Sequence, residues 1–251
     1  MNKIRISAVR YANTYPFIYG LKHSAIPVKA VIETDHPADC ARKLSENRAD
    51  LGLVPVGAIP SIGKSYITGS YCIGSNGKVR TVMLLSNSEL DEIKFVYLDY
   101  RSRTSINLVK VLARKKWKKD FLWMNTSENF DFLNIGDKAG VVLIGDQCFE
   151  FEKMFRKKYD LGEEWSELTG LPFVFACWIS NRHLDEDFVS EFDEALRNGV
   201  DNIEKVVEEF GNTGSIRGGE LYDYLTNNID FKFDDAKKEG MKYFLKMMEE
   251  L

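Results

Sequence analysis

The segment LDYRSRTSINLVKVL, residues 98–112, places two arginines and three hydroxyls where a strand-like run gives way to a helix-like one. A helix N-terminus leaves backbone N–H groups unpaired and carries about half a positive charge. Ser102, Thr104 and Ser105 add hydroxyl donors there, and Arg101 or Arg103 adds a planar fork that matches a carboxylate or phosphate. Together these residues make a candidate anion site. The same residues also fit a plainer account, in which one hydroxyl caps the helix and both arginines are solvated.

Other polar residues stand at similar junctions. Asn13 and Thr14 follow the strand-like KIRISAV, where a helix begins; either could be a ligand contact or only a cap. The run 74–78, Gly-Ser-Asn-Gly-Lys, is Gly-rich but lacks the spacing of a phosphate loop. With strand-like runs on both sides, it reads as a hairpin turn, and Thr81 falls on the following strand. Gly145 and Asp146 end a buried apolar strand, where Asp146 could meet a ligand or cap a helix. Phe173, Phe175 and Trp178 fit a core strand better than a binding wall. No nucleophile–base motif and no metal-ligand spacing appears. Cys40, Cys72, Cys148 and Cys177 are scattered, as are His23, His36 and His183. The expectation is a chain with no metal.

The residues define a small-anion binder, and the bulk properties narrow its class. The chain has 251 residues, 44% hydrophobic and 29% charged, which suits one large or two small soluble domains. A net charge of −4 and no basic stripe argue against nucleic acid. No run of 18 apolar residues and no signal segment is found, so no membrane is expected. Unpaired, scattered cysteines point to the cytoplasm.

Strands and helices must position these groups. In the first half, KIRISAV, VKAVIE and ADLGLVPV read as strands, and residues 36–49 read as a helix with Pro37 in its first turn. A second series runs through IKFVYLD, a helix from Ser105 to Trp117, DFLWM, a short helix over 127–134 and the buried strand AGVVLIGD. GLPFVFACWIS is a further strand, and residues 185–210 read as one long helix followed by two more. This alternation predicts parallel sheets in two α/β lobes. Residues 1–86 with 180–251 form the first lobe and 87–179 the second, with the C-terminal helices on the first lobe. The ligand cleft is expected between them, at strand C-termini.

The segments ISAVRYANTYPFIYGL, ADLGLVPVGAIP, CIGSNGKVRTVMLLS, LDYRSRTSINLVKVL, KAGVVLIGD and YDLGEEWSELTGLPFVFACW occur in this order over about residues 3–180. Together they resemble the chorismate dehydratases of the futalosine route to menaquinone. The resemblance implies a two-lobed periplasmic-binding-protein-like type II fold. It also implies a lyase that removes water from chorismate to give 3-[(1-carboxyvinyl)oxy]benzoate, with no cofactor. By motif position, Asn13 is the expected catalytic residue. Thr81, Ser102, Arg103, Thr104, Ser105, Gly145 and Asp146 are the expected substrate contacts. The alternatives are the sister naphthoate synthase, which should favour a histidine at the cleft, and a non-catalytic small-carboxylate-binding protein of the same fold.

Overall fold

The computed structural model describes residues 3–128, 130–212, 214 and 216–251. The first series contains β1 (Ile4–Val9), α1 (Tyr15–Lys22), α2 (Ile26–Lys29), β2 (Ala30–Asp35), α3 (Pro37–Ser45), β3 (Leu51–Pro55) and β4 (Tyr66–Ser75). The second contains β5 (Val82–Ser86), β6 (Phe95–Leu98), α4 (Arg103–Leu112), β7 (Leu122–Asn125), β8 (Ala139–Ile144), α5 (Cys148–Phe151), β9 (Lys157–Asp160) and α6 (Leu161–Thr169). The chain then returns through β10 (Phe173–Ser180), α7 (Glu186–Asp201), α8 (Ile203–Phe210), α9 (Gly218–Asn227), β11 (Asp230–Lys232) and α10 (Asp235–Glu249).

Two mixed sheets result, one ordered β11-β4-β10-β3-β1-β2 and the other β7-β6-β8-β5-β9. They share one plan. Three parallel strands lie on one side, and the next strand runs antiparallel. That antiparallel strand is the one arriving from the other sheet: β10 in the first and β5 in the second. Parallel sheets were expected from the alternation, and the two returning strands make each sheet mixed. They also move the expected lobe boundaries, because Val82–Ser86 lies in the second sheet and Phe173–Ser180 in the first. The run 74–78 is therefore no hairpin: β4 and β5 belong to different sheets, and this run begins the crossing between them.

Local physics explains the other departures. The expected helix over 127–134 is absent from its described residues, where Asp131 instead closes turns by accepting from Leu133 N–H and Asn134 Nδ2. The helix expected over 185–210 breaks at Asn202, which leaves helical dihedrals and donates to Asn198 O at 2.8 Å. Strand β9 and helix α6 were hidden in a charged segment. Strands β3, β5, β8 and β10 are wholly buried, which gives them near-continuous apolar sequences. Helices α1 and α7 cross at glycines, since a Cβ on Gly199 would lie 1.7 Å from Pro16 O.

One carboxylate organises the crossing between sheets. Asp160 caps α6, accepting from Gly162 and Glu163 N–H at 3.0 and 3.2 Å. It also accepts from Val79 N–H at 3.1 Å and Arg80 N–H at 2.7 Å. Asp160 is 6% exposed. Asp160→Ala leaves four N–H groups, two of them buried, without this acceptor, and urea denaturation is expected to show a loss of about 3 kcal/mol or more.

Candidate active site

The C-terminal ends of β1, β3, β6 and β8 converge on a cleft between the two sheets. It is lined by Val9, Tyr11, Asn13, Pro37, Pro55, Ile73, Val79, Thr81, Val82, Ser102, Thr104, Ser105, Ile144, Gly145, Phe175 and Ala176. None of these residues is charged, so polarity comes from hydroxyls, one amide and main-chain groups.

The anion-site cluster is assembled only in part. Ser102 caps α4, accepting from Ser105 N–H at 3.2 Å, and the two side-chain hydroxyls lie 2.9 Å apart. The plainer account therefore holds for Ser102 as a cap, yet Ser102, Thr104 and Ser105 also face the cleft. Thr104 Oγ1 accepts from Gly57 N–H at 3.0 Å and donates to Phe175 O at 3.3 Å, clamping the lobes. Arg101 turns back on buried Asp99, with Nε and Nη2 at 2.8 and 2.5 Å from its two oxygens. That pairing raises the guanidinium pKa further. Arg103, an expected substrate contact, is exposed and does not line the cleft; its Nη1 donates to Ser61 Oγ at 3.0 Å. As the first residue of α4 it projects outward, while the following hydroxyls project in.

The N-terminal loop supplies the opposite wall. Asn13 Oδ1 accepts from Thr14 Oγ1 at 3.3 Å. Asp146 does not line the cleft, but Ala12 N–H donates to its two oxygens at 3.1 and 3.2 Å, tying this loop to the second lobe. Gly145 has φ +73, and a Cβ there would meet the Tyr11 ring at 2.7 Å. The glycine thus admits the aromatic ring. The Tyr11 hydroxyl is buried without a hydrogen-bond partner among the described residues, and burial raises its pKa, keeping it protonated.

Thr81 is 2% exposed, and its Oγ1 lies 2.8 Å from the Tyr224 hydroxyl. Tyr224 was not anticipated. In GELYDYL it fits the apolar face of α9, where an aromatic reads as core, and only the fold reveals its polar contact. No histidine lines the cleft. Among the described residues no three His, Cys, Asp or Glu side chains could hold a metal ion together. No helix there is long and apolar enough to cross a membrane.

Two lobes, each with a strand returned from the other, and a ligand cleft between them define a periplasmic-binding-protein-like fold. A Candida albicans protein with the generic periplasmic binding protein fold superposes with a TM-score of 0.71 at 10% identity, covering 100% of this chain and 91% of that one. Residues 4–250 match the family model for menaquinone biosynthesis, and the chain belongs to that family. Among its relatives is the chorismate dehydratase of Thermus thermophilus, 24% identical over 94% of this chain and 91% of that protein. The chorismate dehydratase of Campylobacter jejuni is 25% identical over 96% and 92%.

The half-buried contact between Asp146 and Ala12 titrates. Burial pushes the Asp146 carboxyl up to about 6, against the pull of Ala12 N–H. The native state then holds more protons than the unfolded chain between about pH 4 and 6, so this group's contribution falls as pH rises through that window. Asp146→Asn keeps an acceptor for Ala12 and removes the charge. Melting curves are expected to show it gaining stability over the parent at pH 7.5 relative to pH 4.5, by on the order of 1–2 kcal/mol.

Proposed function

We propose that this chain is a hydro-lyase that dehydrates chorismate to 3-[(1-carboxyvinyl)oxy]benzoate for menaquinone biosynthesis. The observation that carries this reading is the convergence of Asn13, Thr81, Ser102 and Ser105 on one uncharged cleft in a chain of the menaquinone family. The names of the two curated relatives support the substrate. Four free, buried thiols support a cytoplasmic setting.

The chemistry needs positioned donors more than a nucleophile. Chorismate loses the hydrogen of C3 and the hydroxyl of C4, a C3–C4 double bond forms, and water leaves. The C3 hydrogen is γ to the ring carboxylate through a double bond, so its electrons delocalise onto that carboxylate as the proton departs. Donors aimed at the carboxylate stabilise this charge. Ser102, Ser105 and the first-turn N–H groups of α4 serve that purpose from one side and Thr81 from the other. Thr104 is left to hold the lobes together. Asn13 donates to the C4 oxygen as it leaves, and the Tyr11 hydroxyl is a further donor on the same wall. The proton of C3 passes to the substrate's own enolpyruvyl carboxylate, with the cleft supplying the geometry. Asp146 acts indirectly, by fixing the 11–13 loop through Ala12. Arg103 stands at the rim and takes no part in holding bound substrate.

The sister naphthoate synthase is disfavoured because the cleft lacks the histidine expected for it. The test mixes the purified chain with chorismate and follows products by chromatography with mass detection. A product lighter than chorismate by one water is expected. Unchanged chorismate together with a raised melting temperature would mark a non-catalytic binder instead. Asn13→Ala is expected to lower kcat by about 100-fold, the usual cost of losing one such donor, with little change in melting temperature. Full turnover in that variant would remove Asn13 from the mechanism.

A further inference from the structure

Four buried side-chain polar atoms have no hydrogen-bond partner among the described residues: the Tyr11 hydroxyl, His36 Nδ1, Trp165 Nε1 and Trp178 Nε1. Of these residues only Tyr11 lines the cleft. A buried O–H without an acceptor destabilises the protein that holds it, so its position calls for a reason. Loose placement is not that reason. Thr14 N–H donates to Tyr11 O at 2.9 Å, and Ala12 N–H donates to both Asp146 oxygens, so main-chain bonds brace this loop. The ring is seated as firmly. A Cβ on Gly145 would lie 2.9 Å from Tyr11 Cζ, the carbon that bears the hydroxyl, and Gly145 is itself a cleft residue. The hydroxyl therefore stands at the cleft wall, beside the end of β8. Burial raises its pKa, so at neutral pH it remains an O–H donor.

Ser102, Ser105 and Thr81 serve one carboxylate of a bound ligand. A second carboxylate brings another full charge into a lining without a charged side chain. A neutral O–H donor meets it there, since hydrogen bonds to an ionised acceptor are the strong ones. We propose that the Tyr11 hydroxyl is the donor for the ligand's second carboxylate, left unpaired by the protein itself so that a dicarboxylate completes the site. The identity of that group rests on the chorismate reading, in which it is the enolpyruvyl carboxylate that receives the C3 proton. The Tyr11 bond then orients the proton acceptor and makes Tyr11 a specificity-determining residue. The donor as such does not depend on the reaction.

Tyr11→Phe keeps the ring and removes the hydroxyl. Without ligand, its melting temperature is expected to rise by about 2–4 °C, because an unpaired buried donor is gone. Binding is then read by titration calorimetry with two unreactive probes. One, 3-(carboxymethoxy)benzoate, carries a ring carboxylate and an ether-linked one; the other, 3-methoxybenzoate, carries the ring carboxylate alone. The parent is expected to prefer the dicarboxylate. In Tyr11→Phe the affinity for the dicarboxylate is expected to fall about tenfold, while that for 3-methoxybenzoate stays within about twofold. An unchanged or lowered melting temperature in the ligand-free variant overturns the proposal, since the hydroxyl is then already satisfied. Equal changes on both probes, or a parent without preference for the dicarboxylate, overturn it as well. A parent that shows the preference, loses it in Tyr11→Phe and leaves chorismate intact refutes only the reaction. A parent that dehydrates chorismate while Tyr11→Phe keeps the preference refutes only the assignment of Tyr11.

Discussion

The bonds around Asp160 set the relation between the two sheets. A buried carboxylate needs strong donors, and here all four are main-chain N–H groups drawn from two separate stretches. Two come from the start of α6 and two from the segment that leaves the first sheet for the second. Arg80 is held at φ +62, a conformation that costs a non-glycine residue about 1–3 kcal/mol unless its surroundings enforce it. The next residue, Thr81, is consequently aimed at the cleft. Arg80 itself lies over the Phe149 ring at 4.4 Å and reaches Glu152 at 3.2 Å and Glu220 at 3.5 Å, joining α9 to the second lobe. One capping aspartate thus connects the crossing, the site threonine and the helix that carries Tyr224.

The cleft handles charge by indirection. The Arg101 fork is occupied by Asp99, which also accepts from Gln147 Nε2 at 3.2 Å. What faces the ligand is a set of dipoles: hydroxyls, an amide and the first turn of α4. Dipoles held in place by capping bonds need little reorganisation when charge develops on a ligand, which is the condition for electrostatic stabilisation in a dry site.

Much of this was legible in the chain alone, for physical reasons. The strand-to-helix junctions at Asn13 and at 101–105 announce themselves because hydroxyls and amides at such points have work to do whether or not a ligand is present. Buried strands such as AGVVLIGD and PFVFACW show as unbroken apolar runs. Direction is another matter. Arg101 and Arg103 are equivalent in composition, yet the backbone sends one to Asp99 and the other to solvent. Strand sense is equally silent, so β5 looked like the hairpin partner of β4, and β10 like one more strand of the series. Tyr224 could not be found because a tyrosine on an apolar helix face carries no mark of what its hydroxyl meets 143 positions away.

Some lobe-to-lobe contacts, such as Arg103 with Ser61 and Arg80 with Glu220, join two side chains, but three hydrogen bonds are uneven in kind. From the first lobe they use the Ala12 and Gly57 N–H groups and the Phe175 carbonyl; from the second they use the side chains of Asp146 and Thr104. Main-chain groups survive almost any replacement of the residue that bears them, whereas a side chain can be lost in a single codon change. Drift along the 12, 57 and 175 positions can alter the shape of the walls while leaving the bonding across the gap in place. Drift at 104 or 146 cannot. At these three bonds the second lobe therefore bears the hereditary burden, and the first is the freer partner in which a lineage can reshape its ligand.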